Sequence, residues 1–298
     1  MISMQSRVNG ELSQRMNNGL EAALISFGSG LIVLIAIALF IPRVKSGACK
    51  LREAAREGRL PKNRLFAGVL GASFVAVQTQ LVPLLGVAVF SVAAIAGQTA
   101  ASLGVDRLGL TGGGKRHITV RRVTASLVTI IAVLVSAWDR IDAKSLSIFS
   151  ILLAGIAGAV VGVQRAFNGQ INEHSGQSFT TSLLNFITGT SFLAFLLILG
   201  AITHHAHISA LPDGPWWMFT GGTIGVFYVA FTSTIVQHLG VLAFTLFSIG
   251  GQLVGALAID ILIPTDGVNV TWYLVTGIVM TYVGVLVGGL SRSRLVRQ

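Results

Sequence analysis

Nine apolar stretches alternate with short polar ones along this chain. Each is roughly 17–23 residues long, the length that a ~30 Å hydrocarbon core demands of a helix. The pattern predicts spans near 20–41, 65–82, 84–104, 120–138, 146–164, 179–200, 216–236, 239–259 and 271–290. Pro83 predicts a tight turn between the second and third, because proline cannot continue helical bonding. At the matching place in the second half the turn falls around Gln237-His238. The fold class expected is an all-α, polytopic integral membrane protein of about nine to ten transmembrane helices.

The apolar pattern also repeats. Residues 65–106, slid forward by 154 positions without a gap, fall on 219–260 with 14 of 42 positions identical. Gly68 meets Gly222, Gly71 meets Gly225, Gly86 meets Gly240, Gly97-Gln98 meets Gly251-Gln252 and Asp106 meets Asp260. The surrounding loops reverse their charge. Eight Lys/Arg lie from Arg43 to Arg64 and five from Arg107 to Arg122, whereas the matching loops 201–215 and 260–270 carry none. Basic loops beside apolar spans belong on the cytoplasmic side, so the two like folds sit upside down relative to each other. That is an inverted repeat, the architecture of a transporter whose site lies between its halves. The division expected is 1–142 and 143–298, with the C-terminus and Arg292, Arg294 and Arg297 in the cytoplasm. All four tryptophans, Trp138, Trp216, Trp217 and Trp272, fall at helix ends on the outer side, where interfaces favour them.

The second half opens with a span that the first lacks. Residues 164–189 align with 5–30 at an offset of 159, with Asn168-Gly169 over Asn9-Gly10, Leu183 over Leu24, Phe186 over Phe27 and Gly189 over Gly30. An apolar span precedes Gln164, but only four residues precede Gln5. Either the first helix of the first half has been lost or the true start lies upstream of Met1. The coding sequence is expected to continue upstream, since five helices per half supply the odd number that inversion needs.

Composition agrees with a membrane chain. Charged residues make up 11% and hydrophobic ones 53%, with a mean hydropathy of +0.78, against about a quarter charged in a soluble domain. The net charge of +10 would suggest nucleic acid in a soluble protein. Its confinement to loops makes it the positive-inside signal instead, and no nucleic-acid partner is expected. The single Cys49 excludes an intrachain disulfide.

Candidate chemistry sits in the polar residues of the spans. Gln98 and Gln252 lie at matching places inside apolar helices, where an uncompensated amide is costly. They are candidates to line a central cavity and bind substrate; the competing reading is hydrogen bonding that only joins helices. Asn185 and Ser26 match in the sixth and first spans and join the candidate set. Gln164 and Asn168 sit, with Asn9, where the first helix of each half ends, so capping competes with binding there. Asp106 and Asp260 close their helices at opposite faces, and Glu21 opens the first span. These three are the candidates for proton or ion coupling, against the plainer reading of solvated or paired helix ends. Small-residue faces at Gly97/Ala101, Gly251/Gly255, Ala154/Gly158/Gly162 and Gly284/Gly288 predict close helix packing.

His204, His205 and His207 lie in an outer loop without a Cys or carboxylate at ligand spacing, so no metal site is expected. Residues 111–116 are glycine-rich and basic but lack the GxxxxGK[ST] pattern, and read as a cytoplasmic loop. No paired-carboxylate, His-Glu or metal constellation marks an enzyme, and no cofactor is expected.

The residues resemble a known group. Gln164-Arg165-Ala166-Phe167-Asn168-Gly169, then Leu183-Leu184-Asn185-Phe186-Ile187-Thr188-Gly189, look like the YdcZ-type branch of the drug/metabolite transporter superfamily. So do Ile95-Ala96-Gly97-Gln98 before Asp106 and Ile249-Gly250-Gly251-Gln252 before Asp260. Family members are often single five-helix units; this chain is similar to a fused pair. The resemblance implies a plasma-membrane carrier that exports small metabolites or drugs. The partners expected are a small-molecule substrate and the lipid bilayer, with proton or ion coupling and a homodimer as further expectations. The alternative is a non-transporting membrane scaffold or assembly subunit, which would not need matched polar groups in both halves. No Asp or Glu sits in mid-span to pair with a cation, so neutral or zwitterionic solutes suit an amide-lined cavity better.

Overall fold

A chain this apolar must satisfy its backbone hydrogen bonds within its own helices. The computed structural model shows ten α-helices among the described residues. They are α1 (Ile2–Met16), α2 (Gly19–Phe40), α3 (Pro42–Arg56), α4 (Ala67–Leu108), α5 (Val120–Ser136), α6 (Leu146–Ser175), α7 (Ser178–Ile202), α8 (Gly221–Leu239), α9 (Val241–Leu262) and α10 (Trp272–Gly289). The described residues are 1–110, 119–136, 138, 146–203, 210–239, 241–263 and 270–289. Within the helices, the side chains of 106, 122, 146–147, 233–239, 241–247, 285 and 287–289 lie outside that description. So do residues 111–116 and the histidines at 204, 205 and 207.

Each expected span coincides with a helix. Gly19–Phe40, Lys62–Val105, Ile148–Ser175 and Ser178–Ile202 are long and apolar enough to cross a membrane, and shorter apolar helices cover the rest. Lys62–Val105 holds two of the expected spans, because α4 does not stop at Pro83. Its helical path breaks three residues later, at Gly86. In the second half α8 runs through Gln237-His238 to Leu239, and α9 begins at Val241.

The repeat offsets carry local structure as well as sequence. Helix α1 ends at Asn17, which is left-handed with φ 49°, and α6 ends at Gly176 with φ 65°. Asn and Gly are the residues that tolerate this region. Asn18 then caps α2. Its Oδ1 accepts from the Glu21 N–H, and its Nδ2 donates to the Glu21 carboxylate, so one side chain makes both bonds. The short 3₁₀ turns Lys62–Phe66 and Trp216–Phe219 correspond in the same way.

The two halves meet where two phenylalanines cross. Phe27 of α2 and Phe186 of α7 lie 5.0 Å apart, centroid to centroid. Each ring covers a glycine of the opposite helix, Phe186 over Gly30 and Phe27 over Gly189. A β-carbon at either glycine would collide with the ring, so both must be glycine for the helices to approach. Gly68 packs against the Asn185 carbonyl, and its counterpart Gly222 packs against the Ser26 carbonyl. The small faces behave as expected on α4 and α6, where Gly97 packs on Gly155 and Gly158 on Ala94. Gly251 differs, with no packing partner at its β-position among the described residues. At the repeat offset, the counterpart of Gly155 falls before Met1.

One helix was hidden in a loop. Residues 42–56, read as part of a basic loop, form the amphipathic helix α3, started by Pro42 in its first turn. Val44, Gly47, Leu51, Ala54 and Ala55 are buried, a spacing that puts them on one face. That face packs on the adjoining ends of α6 and α7, with Thr180 Oγ1 donating to the Val44 carbonyl at 2.9 Å.

Candidate functional site

The break in α4 lies at a contact between the halves. At Gly86 the backbone adopts φ 77° and ψ 164°, a region essentially reserved for glycine. Beyond it the N–H groups of Val87 and Ala88 open a new helical limb and lack carbonyls one turn back. Asp260, from the end of α9, supplies the acceptors. Its Oδ1 accepts from Val87 at 3.1 Å and its Oδ2 from Ala88 at 2.8 Å. A carboxylate at a helix N-terminus also complements the helix dipole. Asp260 is only 3% exposed, so the reading of a solvated helix-end carboxylate does not hold for it. The side chain of Asp106, its sequence counterpart, lies outside the described residues.

In the second half the expected amides form one connected network. Gln164 Nε2 donates to Asn185 Oδ1 at 2.9 Å. Asn185 Nδ2 donates to Asn168 Oδ1 at 2.7 Å and to the Thr181 carbonyl at 2.8 Å. Gln164 lies directly on Gly71, where any β-carbon would strike its amide. Three of the candidate residues are thereby brought together at the contact of α6, α7 and α4.

The first half builds a different cluster at the matching place. Gln5 lies on Gly225 as Gln164 lies on Gly71. Asn9 Nδ2 donates to Gln78 Oε1 at 3.4 Å, and Gln78 Nε2 donates to Ser6 Oγ at 2.7 Å. Ser26 stands where the second half has Asn185, and its shorter side chain does not close the network. Asn9 Oδ1 and Ser26 Oγ are buried without a hydrogen-bond partner among the described residues. Unpaired buried polar atoms of this kind are costly and are the ones a polar ligand can satisfy. Gln78, completely buried, was missed in the sequence. Its only signal there was an amide inside an apolar run, shared with Gln80 one residue pair further on.

Gln98 and Gln252 occupy equivalent interfaces away from these clusters. Gln98 lies on α4 beside Gly162 of α6, buried, with Oε1 unpartnered among the described residues. Gln252 lies on α9, and its backbone carbonyl accepts from Ser3 Oγ of α1 at 2.8 Å. No hydrogen bond among the described residues links either glutamine to the amide networks. Glu21 is buried at the start of α2, bonded to the Asn18 side chain through both its backbone N–H and its carboxylate.

A charged residue passed over in the sequence lies inside α6. The apolar stretch ends at Gln164, but the helix continues to Ser175 and carries Arg165 in its interior. Arg165 is half-buried, and its Nη2 donates to the Tyr228 hydroxyl of α8 at 3.1 Å. Among the described residues no carboxylate pairs with it. The repeat offsets place Ser6 opposite Arg165 and Phe74 opposite Tyr228. Both members of the pair are therefore confined to the second half, while Phe74 packs on Phe90 at 5.7 Å.

Apolar spans, a helix interrupted in mid-course and polar side chains buried between two like halves define a polytopic membrane transporter. The family model described as "Putative inner membrane exporter, YdcZ" matches residues 1–135 and 149–287, nearly the whole chain and one segment in each half. The chain belongs to this family and is a multi-pass inner membrane protein. No curated protein matches it significantly.

Proposed function

We propose that the chain is a secondary transporter that exports small polar solutes, metabolites or drugs, by alternating access between its two halves. The observation that carries this reading is the interruption of α4 at Gly86, capped by Asp260 from the opposite half. Transporter sites are built at such discontinuous helices, whose freed backbone groups and dipole ends face the transported solute. A scaffold would gain nothing from a broken helix that binds across the repeat boundary.

The polar inventory supports neutral or zwitterionic substrates. Amides at Gln164, Asn168, Asn185 and Asn9 offer donors and acceptors in apolar surroundings, and Arg165 with Tyr228 would hold a carboxylate or other anionic group. Charged residues inside spans mark substrate pathways more often than packing sites. Gln98 and Gln252, Asp106, Asp260 and Glu21 remain the proposals for cavity lining and coupling made from the sequence. The basic segment containing α3 is proposed to face the cytoplasm, together with the C-terminus.

The test is a thermal-shift screen of the purified chain against a metabolite library, followed by flux of each hit in reconstituted vesicles. Binding to the native state raises apparent stability. A solute that both stabilises the protein and crosses the vesicle membrane is the expected result. Hits that bind but never cross would leave the scaffold reading in place.

A further inference from the structure

Between α3 and α7 lies a groove of about 520 Å³ that belongs to neither polar cluster. Its walls are apolar, formed by Leu51, Leu65, Leu183, Leu184 and Ile187, with Phe66 at the same groove. Phe66 and Ile187 are well exposed, at 60% and 44%, so in a membrane the groove adjoins lipid. Arg52 and Arg56 from α3 and Lys62 from the 3₁₀ turn line it through their aliphatic stems, and all three residues are exposed, so their charged ends are free to reach a headgroup beside the groove. No Asp or Glu occurs among the described residues that line it. None of the three is ion-paired among the described residues, and Glu57 nearby is engaged by Arg59.

We propose that this groove binds an anionic phospholipid, its acyl chain along the apolar walls and its headgroup phosphate against Arg52, Arg56 and Lys62. Charge complementarity and the apolar walls each select one part of that ligand. A zwitterionic lipid brings its own cation beside the phosphate and so gains less from the three basic residues, and a soluble anion would leave the walls wet. Basic residues just beyond a span, on an amphipathic helix lying at the surface, are the setting in which anionic lipids are held.

The groove is also not a product of the repeat. The matching loop 201–215 carries no Lys or Arg. One leaflet alone is therefore addressed, the one on the side of α3. The proposal stands on the membrane location of the chain and does not depend on what is transported.

The experiment measures lipid binding to the full chain, purified in neutral detergent, by native mass spectrometry. Phosphatidylglycerol is titrated against phosphatidylcholine of the same acyl chains, with glycerol phosphate as the soluble probe. Phosphatidylglycerol should bind at least tenfold more tightly than phosphatidylcholine, and glycerol phosphate far more weakly than either. Each basic side chain removed should reduce the preference roughly fivefold at low salt. The triple variant Arg52→Gln/Arg56→Gln/Lys62→Gln should therefore abolish it. Lys62→Gln alone, outside α3, gives a single-step reading should the triple variant fold poorly. Equal affinity for the two lipids overturns the proposal, as does a wild-type preference in the variants. Glycerol phosphate binding as tightly as the lipid would also overturn it, since an anion site would then suffice.

Discussion

The Asp260 carboxylate and the Ala88 amide meet at 2.8 Å across 172 residues of chain. The bond ties the last turn of α9 to the first turn beyond the break in α4. A helix that is interrupted within an apolar region needs its freed N–H groups satisfied by something. Here the other half of the molecule does so.

Replacing Asp260 should therefore act first on stability. Asp260→Ala leaves two buried N–H groups without acceptors and is expected to cost about 1–3 kcal/mol. Asp260→Asn keeps one acceptor and should cost less. Thermal unfolding in lipid nanodiscs orders the two variants. If Asp260 instead serves only coupling, Asn will unfold like wild type and its flux will lose pH dependence.

Gly86→Ala tests the break itself. A β-carbon at φ 77°, ψ 164° is strained, and such residues cost on the order of 1–3 kcal/mol. The expected outcome is a lowered unfolding temperature together with reduced vesicle flux. A variant as stable as wild type would mean that α4 can run unbroken.

The Arg165–Tyr228 pair predicts a ranked set of transport defects. For a substrate carrying an anionic group, Arg165→Gln should reduce apparent affinity roughly tenfold to a hundredfold, the range for hydrogen bonds to a charge. Tyr228→Phe removes one neutral partner and should cost about fivefold. The double variant should be little worse than Arg165→Gln, because the two residues act through one contact. Additive losses would separate them.

Gln98→Leu and Gln252→Leu distinguish lining from joining. If the glutamines contact substrate, each variant loses about 1–3 kcal/mol of binding and keeps its unfolding temperature. If their side chains only join helices, stability falls and affinity does not; the Ser3 bond to the Gln252 backbone carbonyl survives the substitution either way. Paired flux and melting measurements on the same preparation decide between the two.

Cys49 reports the orientation without any engineering, being the single cysteine and exposed on α3. A membrane-impermeant maleimide should label it only after cells are permeabilised. Labelling of intact cells would invert the proposed topology.

The spans were legible because hydropathy is a local property, and the glycine pairs because a repeat needs no structure to be seen. Three features escaped for a common reason. Helix α3 is amphipathic and basic, so its composition read as loop while its buried face at Val44, Leu51 and Ala54 needed α6 and α7 to become apparent. Arg165 was placed outside a span because the apolar run stops at Gln164, though the helix does not. Asp260 was visible as a residue but not as a cap, since its partners lie on another helix. The amide set Gln164, Asn168 and Asn185 did emerge in the sequence as individuals. Their connection required the fold.

Two like halves exchanged by a near-symmetry would, left alone, rest in either orientation with equal ease. Arg165 and Tyr228 have only Ser6 and Phe74 as opposite numbers, a mismatch that would lift the degeneracy. Under the proposed alternation the guanidinium would sit in a different setting in each state, and the empty protein would then have a preferred resting side. A solute can shift that balance only by as much as it favours one state over the other. The same mismatch would then set both what the site selects and the side on which the empty carrier waits.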